Sequence, residues 1–150
     1  MANISGISVA HLINKLIYLA KEEKVRQQGG TMAKAEEYIN HKMEECIENC
    51  NECHRICLET MEYCLRMGGK HAEAARIGLL VDCAQICQTS ADFMIRDSQL
   101  HHQICAACAE VCSRCADQCA ALGADDEQMQ ECAELCALCE ETCAEMAIKT

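Results

Sequence analysis

Sixteen of the 150 residues are Cys, spaced by three, four or seven positions within each run. The runs are Cys46, Cys50, Cys53, Cys57 and Cys64; Cys83 and Cys87; Cys105, Cys108, Cys112, Cys115 and Cys119; and Cys132, Cys136, Cys139 and Cys143. On an α-helix those steps return to one face, so each run predicts a stripe of thiols where a bundle ordinarily places Leu or Ile. Thiolates are soft ligands that select Cu(I), Zn(II) or iron–sulfur clusters. Isolated buried Cys are usually small hydrophobes. Sixteen in register would leave a bundle interior underfilled, since each missing methyl-sized group costs about 1 kcal/mol. Disulfides fill it poorly, because partners on one helix lie side by side and facing helix axes stand too far apart.

Charge separates the metals. A Zn(II) held by four thiolates carries −2, so four such sites would bury −8 without compensating Lys or Arg. Cu(I) replaces a thiol proton one for one, and the filled core stays neutral. Because Cu(I) needs only two or three sulfurs and each sulfur can bridge two ions, a ladder of thiols holds about one ion per Cys. Iron–sulfur clusters draw on loop Cys at other spacings.

Thioethers are soft ligands too. Met61, Met67 and Met129, with Met43 and Met146, fall in register with the stripes near helix ends and are candidates for an entry vestibule. His101, four residues before Cys105, is the His in register and a further candidate ligand. The C-x-x-C pairs, such as Cys50/Cys53 and Cys136/Cys139, lack the βαβ setting of thiol redox enzymes, and the chain presents no catalytic constellation.

The elements that must carry these stripes are helices. The chain has no Pro and only 7 Gly, and β-branched or aromatic runs are missing. Breaks at Gly29-Gly30, Gly68-Gly69, Asp97-Ser98 and Gly123-Asp125 predict five helical segments. Asp125, three residues before Gln128, reads as a capping box opening the last helix. Four long helices with short connections predict an all-α, antiparallel up-down four-helix bundle over residues 31–150, its core lined by Cys. The Gly68-Gly69 and Gly123-Asp125 turns should then share one end. Residues 1–30 read as an extra amphipathic helix, Val9, Leu12, Ile13, Leu16, Ile17 and Ala20 forming its apolar stripe, followed by a Gly-Gly linker.

With 24 acidic against 13 basic residues and a net charge of −11, the chain is unsuited to nucleic acid and suited to cations. No stretch is long and apolar enough to cross a membrane. Lys15 interrupts the first apolar run with no basic region before it, so no secretory signal is expected and the predicted location is the cytosol. There, thiols persist as thiols.

Four segments carry a family likeness: C-I-E-N-C-N-E-C-H-R-I-C (Cys46 to Cys57), D-C-A-Q-I-C (Asp82 to Cys87), I-C-A-A-C-A-E-V-C-S-R-C-A-D-Q-C (Ile104 to Cys119) and E-C-A-E-L-C-A-L-C-E-E-T-C-A-E-M-A (Glu131 to Ala147). The run from Cys46 to Ala147 resembles the Cys-rich four-helix-bundle copper storage proteins, in particular their cytosolic branch. The resemblance implies storage of many Cu(I) ions along the core, with the matching thiols as ligands, and assembly as a homotetramer. Two departures are visible. Arg76 stands where the family commonly has another Cys, and Leu122 and Glu131 occupy neighbourhoods where it tends to place His. The expected function is a non-enzymatic cytosolic Cu(I) store, exchanging with a copper chaperone or a small thiol. The alternatives are a Zn- or Cd-sequestering metallothionein-like protein and a thiol redox protein.

Overall fold

A computed structural model describes residues 32–148. The segment expected to form the N-terminal amphipathic helix lies outside the described residues. The chain divides into two units, residues 1–39 and 40–150, and the thiol runs all belong to the second.

Four α-helices follow one another: α1 (Met32–Met67), α2 (Ala74–Ile95), α3 (His101–Ala120) and α4 (Glu127–Met146), with a single 3-10 turn at Gly123–Asp125 before α4. The turns decide where each stops. Gly68 and Gly69 sit at φ of 68° and 55°, a left-handed conformation that costs other residues a Cβ clash. They end α1, with the Gly68 amide bonded to the Cys64 carbonyl. After α2, Asp97 adopts φ 51°. Its amide bonds to the Met94 carbonyl and that of Ser98 to the Phe93 carbonyl, the paired pattern of a Schellman stop. Asp tolerates this conformation better than most residues.

The start of α4 departs from expectation by one residue. The cap is Asp126, whose carboxylate accepts from the Met129 amide; Asp125 is taken up by the 3-10 turn. Gly123 opens that turn, and α3 ends at Ala120. Asp126 also accepts from Tyr63 Oη at 2.9 Å and pairs with His71 Nε2 at 2.9 Å. It therefore ties α4 to the end of α1 and to the α1–α2 turn. Gln128 bonds Thr60 Oγ1 at 2.9 Å, so the Gly68-Gly69 and Gly123-Asp125 turns share one end of the bundle, as expected. At the other end His102 Nδ1 donates to the Met146 carbonyl at 2.8 Å, and Lys42 pairs with Glu145 at 3.2 Å. Helices thus run up, down, up and down.

Asp126→Ala should cost the metal-free protein about 1 kcal/mol, the usual value of an N-cap. A urea melt at neutral pH measures it, and an unchanged midpoint would contradict the assigned cap.

The interior is built from small groups. Ile56, Leu80, Met94, Met129 and Thr60 are the largest fully buried side chains, and all sixteen Cys are buried.

Candidate metal centre

Each helix turns its Cys stripe inward, and stripes from different helices meet. At the His102 end Cys143 Sγ lies 3.6 Å from Cys46 and 3.5 Å from Cys50. The chain of contacts continues from Cys50 to Cys139 at 3.7 Å, Cys139 to Cys87 at 3.8 Å and Cys87 to Cys112 at 3.5 Å. It passes from Cys112 to Cys83 at 3.7 Å, Cys83 to Cys53 at 3.8 Å and Cys53 to Cys136 at 3.7 Å. From Cys136 it reaches Cys57 at 3.7 Å and Cys132 at 4.0 Å, and Cys132 reaches Cys119 at 3.6 Å. Cys87 also meets Cys108 at 3.7 Å. Beyond the ladder, Cys64 Sγ donates to Met129 Sδ at 3.7 Å, and Cys105 lies 3.3 Å from Ser90 Oγ.

These separations exceed a disulfide bond of about 2.05 Å, and every Cys is a free thiol. They do match sulfurs sharing a metal. With metal–sulfur bonds of about 2.3 Å, trigonal geometry puts sulfurs about 4.0 Å apart and linear geometry about 4.6 Å.

Four groups of four thiols have all their sulfurs within 4.8 Å of one another: Cys50, Cys108, Cys139 and Cys143; Cys53, Cys87, Cys112 and Cys139; Cys53, Cys57, Cys83 and Cys136; and Cys57, Cys115, Cys132 and Cys136. The groups overlap. The first two share Cys139, the middle two share Cys53, and the last two share Cys57 and Cys136. Independent tetrahedral sites would need separate ligands; shared ones imply bridging sulfurs.

Electrostatics favours a monovalent guest. Among the described residues the buried polar side chains are Lys42, Thr60, Ser90, His101 and Thr142, and Lys42 stands at one end. Among the described residues no buried cation lies midway to offset unpaired thiolates. Burial opposes ionisation within the network. Its protons are then shared through hydrogen bonds: Cys136 is held far above the ordinary thiol range by bonding to Cys115, Cys132, Cys53 and Cys57 together with burial, whereas Cys53, bonded by Cys112 and Cys136, is held below it. Cys64 is raised by burial, with the nearby Arg76 charge drawing it down. Cys105 is opposed by its bond to Cys143 but raised by Cys46 and burial, and ends pushed up to about 12.

A raised thiol such as Cys105 contributes stability that is fully present below the ordinary value, 9.0, and is lost as pH rises through about 12. The unfolded chain ionises first and draws the equilibrium toward itself. Reduced, metal-free protein should therefore show a falling denaturation midpoint from pH 9 upward; a flat profile would contradict the protonated core.

The remaining candidates divide. Met129 is fully buried against Cys64. Met61 is partly buried and packs on the core, as do Met43 and Met146. Met67 is 56% exposed, at the α1 terminus beside Gly68 and outside the fully buried sulfur interior. His101 is buried at 8% exposure, and its Nδ1 donates to the Ser98 carbonyl at 2.8 Å. That bond fixes the tautomer and leaves Nε2 with the lone pair. Its ring stacks on His102 at 3.9 Å between centroids. Two charged residues at the ends were not anticipated as part of the interior, Lys42 and Arg76. Their signal was register: Lys42 lies one turn before Cys46, and Arg76 lies seven residues before Cys83.

The copper storage protein family profile matches residues 39–148. A crystal structure of a protein from Nitrosospira multiformis is similar at 42% identity and a TM-score of 0.66, covering 71% of this chain and 95% of that one. The Cu(I)-bound copper storage protein of Bacillus subtilis is similar at 34% identity and a TM-score of 0.66, covering 71% of this chain and 99% of that one. A cytosolic copper storage protein from Streptomyces lividans, in a structure holding five coppers, is similar at 30% identity and a TM-score of 0.63, covering 72% and 93%. With most of the bundle matched and its thiols gathered into overlapping groups, this chain belongs to the copper storage protein family.

Proposed function

We infer that the protein stores many Cu(I) ions along the core of its four-helix bundle, in the cytosol like the Streptomyces relative, with Cys46, Cys50, Cys53, Cys57, Cys64, Cys83, Cys87, Cys105, Cys108, Cys112, Cys115, Cys119, Cys132, Cys136, Cys139 and Cys143 as ligands. The overlap of the four thiol groups carries this reading. Shared sulfurs suit bridging between low-coordinate Cu(I) ions, and exchange of each thiol proton for Cu(I) leaves the interior uncharged. Isolated Zn quartets would each add −2 to a core whose middle holds no cation. No catalytic role is assigned. The homotetramer implied by the family likeness belongs to the proposal as well. Leu58 and Leu65, seven residues apart on α1 and 40% and 55% exposed, support an assembly face there, and sedimentation velocity tests it.

Anaerobic titration of the reduced protein with Cu(I) against a chromogenic chelator is the direct test. Saturation should approach the Cys count of 16, and about one proton should be released per ion taken up, because the ligand must lose its proton. Saturation near four ions, or uptake without proton release, would overturn the ladder.

A further inference from the structure

We propose that the end of the thiol channel formed by Cys64 and Met129 is an exchange port, where Arg76 recruits a low-molecular-weight anionic thiol that takes Cu(I) from Cys64 or delivers it. The inference rests on the storage reading above.

Arg76 is in helical register with Leu80, Cys83 and Cys87, so its side chain follows the inward stripe of α2 and is only 11% exposed. Its Nη1 donates to the Lys70 carbonyl and lies 3.7 Å from the Glu73 carboxylate. Its Nε does neither. Among the described residues, this is the buried side-chain nitrogen or oxygen that lacks a hydrogen-bond partner. Buried donors are nearly always satisfied, and an exception calls for a ligand or a state in which it is met.

The surroundings say which ligand. Cys64 and Met129 are both fully buried with sulfurs 3.7 Å apart, and Arg76 stands at the same end, bonded to the Lys70 carbonyl in the turn that follows α1. Nearby Asp126 is already engaged by Tyr63, His71 and the Met129 amide. At the opposite end the cation is Lys42, which pairs with Glu45 at 3.5 Å and Glu145 at 3.2 Å.

A Cu(I) held by the Cys64 thiolate and the Met129 thioether is neutral. An incoming thiolate makes it three-coordinate with a charge of −1, and a cation donating from Nε stabilises that species. The thioether bond and then the Cu–Cys64 bond break, and the proton of the incoming thiol ends on Cys64. Copper stays Cu(I) throughout. The balance is a thiol plus copper-bound Cys64 giving copper thiolate plus protonated Cys64.

The test is mediated transfer from copper-loaded protein to a chromogenic chelator, under anaerobic conditions at moderate salt, with 3-mercaptopropionate or cysteamine as the mediator and rates compared per thiolate. The net charge of −11 opposes an anionic visitor, so a preference for mercaptopropionate is diagnostic of a local cation. The wild type should show that preference. R76Q should lower the ratio of the two rates about tenfold, chiefly through a higher half-saturating concentration of mercaptopropionate, and R76K should restore part of it. An unchanged ratio in R76Q, or a wild type that favours cysteamine, would overturn the port. Copper capacity is titrated on each protein alongside. Low capacity in the wild type would sink the storage reading itself, whereas full capacity with an unaltered ratio sinks the port alone. R76K, which keeps charge and length, serves where R76Q does not fold.

Discussion

Replacing Cys57 and Cys136 together with Ala should remove more copper than two thiols account for. Both belong to the two thiol groups nearest the Met129 end, so their loss leaves Cys53 and Cys83 in one group and Cys115 and Cys132 in the other. If each sulfur bridges two ions, capacity should fall by on the order of four ions. The matched control is Cys64→Ala with Cys105→Ala. These thiols stand at the ends and outside all four groups, so that pair should cost about two ions at most. Titration and elemental analysis of both double variants measure the difference, and equal losses would contradict bridging. Each replacement leaves a void worth about 1 kcal/mol, so circular dichroism of the metal-free variants separates lost ligands from lost fold.

Copper loading should raise the thermal midpoint by more than about 20 °C. A ligand at a thousand times its dissociation constant stabilises the folded state by about 4 kcal/mol per site, and in a domain of this size each 1 kcal/mol moves the midpoint by several degrees. Several tight sites exceed the figure even after allowance for thiols of the unfolded chain, which bind copper too. Packing points the same way. The core holds few large side chains, and its small thiols have little to press against until ions link them. Scanning calorimetry of metal-free and loaded protein gives the shift, and a strong chelator should reverse it. Equal midpoints would mean that copper sits outside the fold-defining core.

The helical stripes were readable in the residues because helix periodicity is local: steps of three, four and seven place side chains on one face wherever the backbone is helical. Gly68-Gly69 was readable for a similar reason, as few other residues take a left-handed turn without strain. The extra amphipathic helix expected in residues 1–30 lies outside the described structure. Helix ends were less legible. A one-residue choice between Asp125 and Asp126 depends on the 3-10 turn before α4 and on Tyr63 and His71, which are distant in sequence. Met67 and Met129 both satisfied the register rule, yet one is exposed and the other fully buried, because α1 terminates immediately after Met67.

The chain alone determined that sulfur would face inward and that a monovalent soft cation suits so many thiols without countercharges, since both follow from residue type, spacing and net charge. Tertiary structure decided which thiols meet. Cys53, Cys57, Cys136 and Cys139 each join two groups because the axial offset between neighbouring helices is set by turns and interhelical packing, and no periodicity within one helix encodes it. The turn between α1 and α2 likewise sets Arg76 at the Cys64 end of the bundle, where its Nε is left without an acceptor.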